Sequence, residues 1–156
     1  MLLAIYLNDH LAGATGAHEL VRRSAVSNRE SAYGPFLSEL AEQIEEDRQT
    51  LIEIMRALGI GIDRLKVTAG WGAEKLGRLK LNGQLLGYSP LSRLVELEGL
   101  SLGVGGKLAL WRALQQLQPD EPRLAEVDLA RLVRRAEQQL DELEANRLSA
   151  AAEALR

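Results

Sequence analysis

The chain has no cysteine, which excludes thiol catalysis, thiolate metal sites and redox sensing by disulfide, and suits a reducing compartment. Aromatic residues are scarce, at one phenylalanine, two tryptophans and three tyrosines. β-Branched residues are also few, and the dominance of Leu, Ala, Glu, Arg and Gln favours helix. Only four prolines occur, Pro35, Pro90, Pro119 and Pro122. All of them stand at segment boundaries, where a helical protein tolerates them.

No sign of charge dominates. The 19 basic and 22 acidic residues give a net charge of −3, with the signs interleaved. A nucleic-acid partner would call for a basic face or a basic total. No apolar run approaches the roughly 18 residues of a membrane span. The N-terminal MLLAIYLNDHLAGATG lacks a positive leader, and Asn8, Asp9 and His10 interrupt its apolar run. The expectation is a soluble, cytoplasmic protein with neither a membrane nor a nucleic acid as partner.

What the chain does have is helical periodicity. Its 156 residues fit a single domain, 1–156, able to bury about two thirds of its unfolded surface. At 100° per residue, Leu3, Leu7, Leu11, Ala14, Ala17 and Val21 share one face of a first helix over residues 2–26. His10 and His18 fall on that face. A second helix over 35–58 carries Phe36, Leu40, Ile44, Leu51, Ile54, Met55 and Leu58 inward, with Asp47 among them. Gly59 and Gly61 end it. Asp63 is placed to cap a shorter helix over 64–81 whose inner face is Leu65, Ala69, Gly72, Leu76 and Leu79. Trp71 and Val67 point elsewhere, so this helix either contacts neighbours on two sides or leaves an apolar patch for a partner.

Ser89-Pro90 opens the next helix, serine as cap and proline as first residue. After the Pro119–Pro122 break, a last helix runs from about 123 to near the C-terminus. Leu129, Leu132, Val133, Ala136, Leu140, Leu143 and Ala150 form its stripe. The predicted fold class is all-α: an antiparallel up-and-down bundle of four long helices and one short one.

The segment GVGGK, Gly103–Lys107, invites a phosphate-loop reading. A Walker loop needs G-x-x-x-x-G-K-[ST], but Ser101 holds the first glycine's place and Leu108 follows the lysine. A dinucleotide fingerprint fails because Leu108 takes the third glycine's place and no strand precedes. Gly99, Gly103, Gly105 and Gly106 instead punctuate a helical pattern, at about 1 kcal/mol of propensity each. Close approach of a neighbouring helix, or a local kink, accounts for them. A small-molecule pocket lined by this glycine face is a further reading.

Helical projection puts four polar residues inward: His10, His18, Asp47 and Glu98. Glu96 projects the opposite way. Buried charges need a partner, a proton or a metal, and helical bundles build metal sites from converging carboxylates and histidines. The structural readings stand beside this one. A histidine on an apolar stripe serves as a hydrogen-bonded core group, and Asp47 serves a helix–helix contact. Glu98 pairs with Arg112 or with an arginine of another helix.

The order and lengths of the helices, with EIEEDRQTLIEIMRALGI, VELEGLSLGVGGK and RRAEQQLDELEANR among them, resemble the ferritin-like superfamily, in particular its small bacterial stress-associated members. The resemblance implies two metals, iron or manganese, held by glutamates and Glu-x-x-His pairs on four helices. Glu98 matches the single glutamate of the third bundle helix. Elsewhere the pattern departs: Asp47 stands where a histidine belongs, Ile44 where its glutamate belongs, and His10 or His18 where the first helix has glutamate. In the last helix Glu137 is followed by Leu140, and Glu144 by Arg147.

Two functions follow as expectations. The first is a non-catalytic structural or binding bundle of ferritin-like form with a degenerate metal site. The alternative is a metal-dependent oxidoreductase using His10, His18, Asp47 and Glu98. A homodimer or other homo-oligomer is expected from Trp71, Val67 and the apolar N-terminal residues.

Overall fold

Four long α-helices make up most of the chain: α1 (Leu2–Ser27), α2 (Gly34–Ala57), α3 (Pro90–Leu117) and α4 (Leu129–Ala154). The computed structural model describes residues 1–68 and 87–156, and no strand occurs among them. None of the described helices is long and apolar enough to cross a membrane. Helix α1 packs against α2 and α3, and α3 packs against α4.

The helix ends follow local chemistry. Ser89 Oγ accepts from the Ser92 amide at 3.1 Å, while Ser92 Oγ accepts from the Ser89 amide at 3.2 Å. This reciprocal cap, with Pro90 in the first turn, fixes the start of α3. Helix α2 ends as its glycine predicts. Gly59 has φ +70°, and Ile60 N–H reaches back to the Met55 carbonyl at 2.8 Å. The Leu58 carbonyl accepts from Arg123 at 2.9 Å, a cation at a helix C-terminus. Asp63 Oδ1 accepts from the Leu65 and Lys66 amides at 3.1 and 3.2 Å, as a cap for the helical turn over 64–68. The remainder of the predicted 64–81 helix, with Trp71, lies outside the described residues.

The expected start of the last helix and the expected face of Leu65 need correction. The last helix begins at Leu129 rather than near 123. Two 3₁₀ turns, Gln118–Asp120 and Pro122–Leu124, come first, and Asp128 caps α4 by accepting from Arg131 N–H at 2.9 Å. Leu65 is 81% exposed rather than inward. Val67 packs against the core, the first of its two expected roles.

The core runs through all four helices. Leu7, Leu11, Leu37, Leu51, Leu97, Leu100, Trp111, Leu132 and Leu143 are among its fully buried side chains. Burying a leucine of this kind contributes about 1.5–3 kcal/mol. In α3 the buried residues cluster around the direction of Leu97, Val104, Leu108 and Trp111. Leu102 lies about 150° from that direction at 100° per residue, and it is 80% exposed. Glu98, inward by helical projection of the sequence, lies towards that same outer side. That carboxylate is on the surface, 51% exposed, with Arg147 of α4 at 3.7 Å.

At one end a polar network joins three helices. Glu96, taken from the projection as outward, accepts from Ser24 Oγ of α1 and from Tyr88 Oη at 2.8 Å. Asn28, 1% exposed, donates to Tyr88 Oη at 2.6 Å and accepts from Arg93 Nε at 2.7 Å. Arg93 continues to Glu153 of α4 at 2.7 Å. Within this network each buried group finds a partner, as buried polar groups generally do.

Candidate functional site

Between α1, α2 and α3 lies a cleft of about 300 Å³. Its existence follows from residue size. On α1 the facing positions are Gly13, Ala14 and Ala17, and on α3 they are Gly103 and Gly106. A β-carbon on Gly103 would sit 3.4 Å from Ala17 Cβ, and one on Gly99 would sit 3.3 Å from Leu20. There the two helices approach closely, as the glycine pattern predicts. Gly106 differs: a β-carbon there meets nothing within 4 Å. Its missing side chain leaves space, and that space is the cleft.

The walls are largely apolar, with Tyr6, Ile44, Leu51, Val104, Leu110 and Trp111 completing them. Asp9 and Leu102, both exposed, also line the cleft and mark its mouth. Trp111 is 1% exposed, and its indole Nε1–H is buried with no hydrogen-bond partner. Leaving a buried donor unmade costs about 1–3 kcal/mol.

One edge of the cleft is ionic. Asp47, 2% exposed, receives Lys107 Nζ on Oδ2 at 2.5 Å. Its Oδ1 accepts from Arg135 of α4, through Nε at 3.1 Å and through the terminal nitrogen. Lys107 also donates to Gln139 Oε1 at 2.5 Å, and Gln139 donates to Gln43 at 2.9 Å. Arg135 extends outward to Glu46 at 2.7 Å. Burial pulls the Lys107 ammonium below its ordinary range, and the Asp47 carboxylate opposes the shift. Gln139, 1% exposed, lies on the stripe of α4 between Ala136 and Leu143. A buried amide there is the feature that sequence periodicity overlooked.

The four residues picked from the sequence do not share one place. His10 and Asp47 both line the cleft. His10 packs edge-on against Tyr6, ring centroids 4.5 Å apart, and burial holds its imidazole below the ordinary value. His18 is eight residues further along α1, a rise of about 12 Å. It faces Glu45 of α2 at 3.4 Å, whose carboxylate is forked by Arg48 at 2.8 and 3.0 Å. Glu98 is at the surface with Arg147.

The donor set does not fit the metal pair that a ferritin-like bundle implies. Asp47 already has a cation on each oxygen, so a metal ion would have to displace both. Among the described residues no three His, Asp or Glu side chains gather as ligands. Among the described residues that line the cleft there is no serine or threonine, and the hydroxyl present is the phenol of Tyr6. What the arrangement offers is shape, apolar surface and the unfilled hydrogen-bond donor of Trp111. Comparison with protein-family models, with curated proteins and with solved structures gives no match.

Proposed function

We propose that this chain is a non-catalytic binding protein that takes a small, largely apolar molecule into the cleft between α1, α2 and α3. The observation that carries this reading is the cleft of about 300 Å³ beside Trp111, whose buried indole N–H lacks an acceptor. Small-molecule sites are mostly apolar concavities with a few convergent polar groups, at volumes of about 300–1,000 Å³. Gly106 adds support, because it gives up about 1 kcal/mol of helix propensity without relieving any contact. Local rules are broken chiefly at functional positions.

The proposal includes a ferritin-like arrangement of the four helices, with the metal positions given over to ion pairs. Paired contacts support it. Between α1 and α3, Ser24 meets Glu96 while Gly103 faces Ala17, so numbers fall on one helix as they rise on the other. The same holds for α3 and α4, through Arg93–Glu153 and Lys107–Gln139. By contrast α2 and α3 rise together, through Tyr33–Arg93 and Asp47–Lys107. A parallel second and third helix calls for one long crossover, as in ferritin-like bundles, in place of a strict up-and-down order. Residues 58–89 separate the two helices in the sequence.

The test is a titration of the Trp71→Phe protein, in which Trp111 is the remaining tryptophan, with neutral probes such as 1-octanol, toluene and indane. A saturable change in Trp111 emission is expected. Midpoints should lie at roughly 0.1–1 mM, because about ten non-hydrogen atoms at about 0.5 kcal/mol each reach that range. Emission that stays unsaturable across the panel contradicts the reading.

A further inference from the structure

We infer that the ligand of this cleft is a monocarboxylate with a compact apolar body, its carboxylate held between Lys107 and Trp111. The inference rests on the binding reading above and adds the chemical class of the ligand. Lys107 and Trp111 are four residues apart on α3, so their side chains share one face and neighbour each other. Both line the cleft. An ammonium group has three protons to donate. Lys107 gives two of them, to Asp47 and Gln139, which leaves one. The indole N–H of Trp111 is the second donor without an acceptor. Two unfilled donors on adjacent turns suit the two oxygens of one carboxylate.

Charge points the same way. Two cations, Lys107 of the lining and Arg135 behind it, share the carboxylate of Asp47, while the other lining carboxylate, Asp9, is at the exposed mouth and paired with Lys66. The balancing charge, Glu46, is 66% exposed and on the solvent side of Arg135, where water screens it. One further negative charge on the inner side completes the pairing. Arg48 also lines the cleft, but Glu45 already occupies it. A phosphate would bring three charged oxygens and call for a cradle of backbone amides or an unoccupied arginine fork. Two single donors from helix side chains do not make one. Apart from His10 and the exposed Asp9 at the mouth, the rest of the lining is aliphatic, aromatic or glycine, so the ligand's body is apolar.

The experiment compares octanoate, 1-octanol and octyl phosphate by isothermal calorimetry, with the Trp111 indole N–H followed by ¹H–¹⁵N NMR. The indole signal is assigned by its persistence in Trp71→Phe. Octanoate is expected to bind about ten-fold or more tightly than 1-octanol, the scale of a charge-assisted hydrogen bond, and to shift the Trp111 signal downfield. Lys107→Met should remove that advantage, bringing octanoate and 1-octanol to within about three-fold of each other. Trp111→Phe serves where loss of Lys107 unfolds the chain. It keeps an aromatic ring while deleting the donor with part of the ring volume, and should lower octanoate affinity several-fold relative to octanol.

Equal binding of octanoate and 1-octanol overturns the carboxylate inference and leaves the binding reading standing. Tighter binding of octyl phosphate than of octanoate also overturns it. Failure of all three probes, together with the neutral panel above, overturns both.

Discussion

Lys107 Nζ lies 2.5 Å from Asp47 Oδ2, with the lysine 13% exposed and the aspartate 2%. The lysine of the GVGGK segment thus serves a buried carboxylate on another helix. Removing one member of such a pair strands the other. Asp47→Ala is expected to destabilise the fold by about 3–5 kcal/mol. The double substitution Asp47→Leu with Lys107→Met should lose less than either single change, because no unpaired charge remains between them. Urea denaturation of the four proteins closes the cycle. Additive losses would show that the two groups are not coupled.

Glycines 34 and 106 should respond oppositely to alanine. A β-carbon at Gly34 would sit 2.8 Å from the Asn28 carbonyl oxygen, a backbone atom that cannot step aside. Gly34→Ala is therefore destabilising, by about 1–3 kcal/mol as for other overpacked sites. At Gly106 a β-carbon meets open space, and Gly106→Ala should stabilise by about 0.5–1 kcal/mol. Thermal unfolding of both proteins reads the two signs directly.

Acid should weaken the fold in two stages. His10 is held below its ordinary pKa by burial, so the unfolded chain takes up that proton more readily than the folded one. Stability is full above the unfolded value of about 6.5 and falls as pH drops through it. Glu45 is held down to about 2, first by its hydrogen bonds from Arg48. Its contribution is present above the ordinary 4.5 and fades between there and about 2. Denaturation midpoints measured from pH 8 to pH 3 should show both declines, and His10→Gln should abolish the upper one.

Glu98→Gln should change stability by no more than about 0.5 kcal/mol, the usual scale for an exposed pair. Its partner Arg147 is 3.7 Å away and already held by Glu144 at 2.7 Å. A loss above about 2 kcal/mol would place Glu98 in a buried role, as the helical projection expected.

The helices and their caps were legible in the sequence because they rest on local rules. Ser89, Pro90 and Gly59 act within a turn of where they stand. The inner face of α3 was harder to read. That helix packs against both α1 and α4, so its buried arc is wide, and the exposed Leu102 is indistinguishable in sequence from a core leucine. Asp47 was correctly placed inside, but its partners are 60 and 88 positions away, and no local pattern announces them. The same distance effect hid Gln139. The glycine run carried two meanings at once. Gly99 and Gly103 permit close helix contact, whereas Gly106 opens the cleft, and only the position of α1 separates them.

The most direct test of the binding account is calorimetry of 1-octanol against wild-type protein, Gly106→Leu and Gly105→Leu. Both glycines have open space at their β-carbon positions, but only Gly106 lines the cleft. A leucine at 106 fills the cleft from α3, and one at the neighbouring glycine does not. The account predicts saturable binding to wild type and to Gly105→Leu, and its loss in a folded Gly106→Leu protein. Undiminished binding to Gly106→Leu would contradict it.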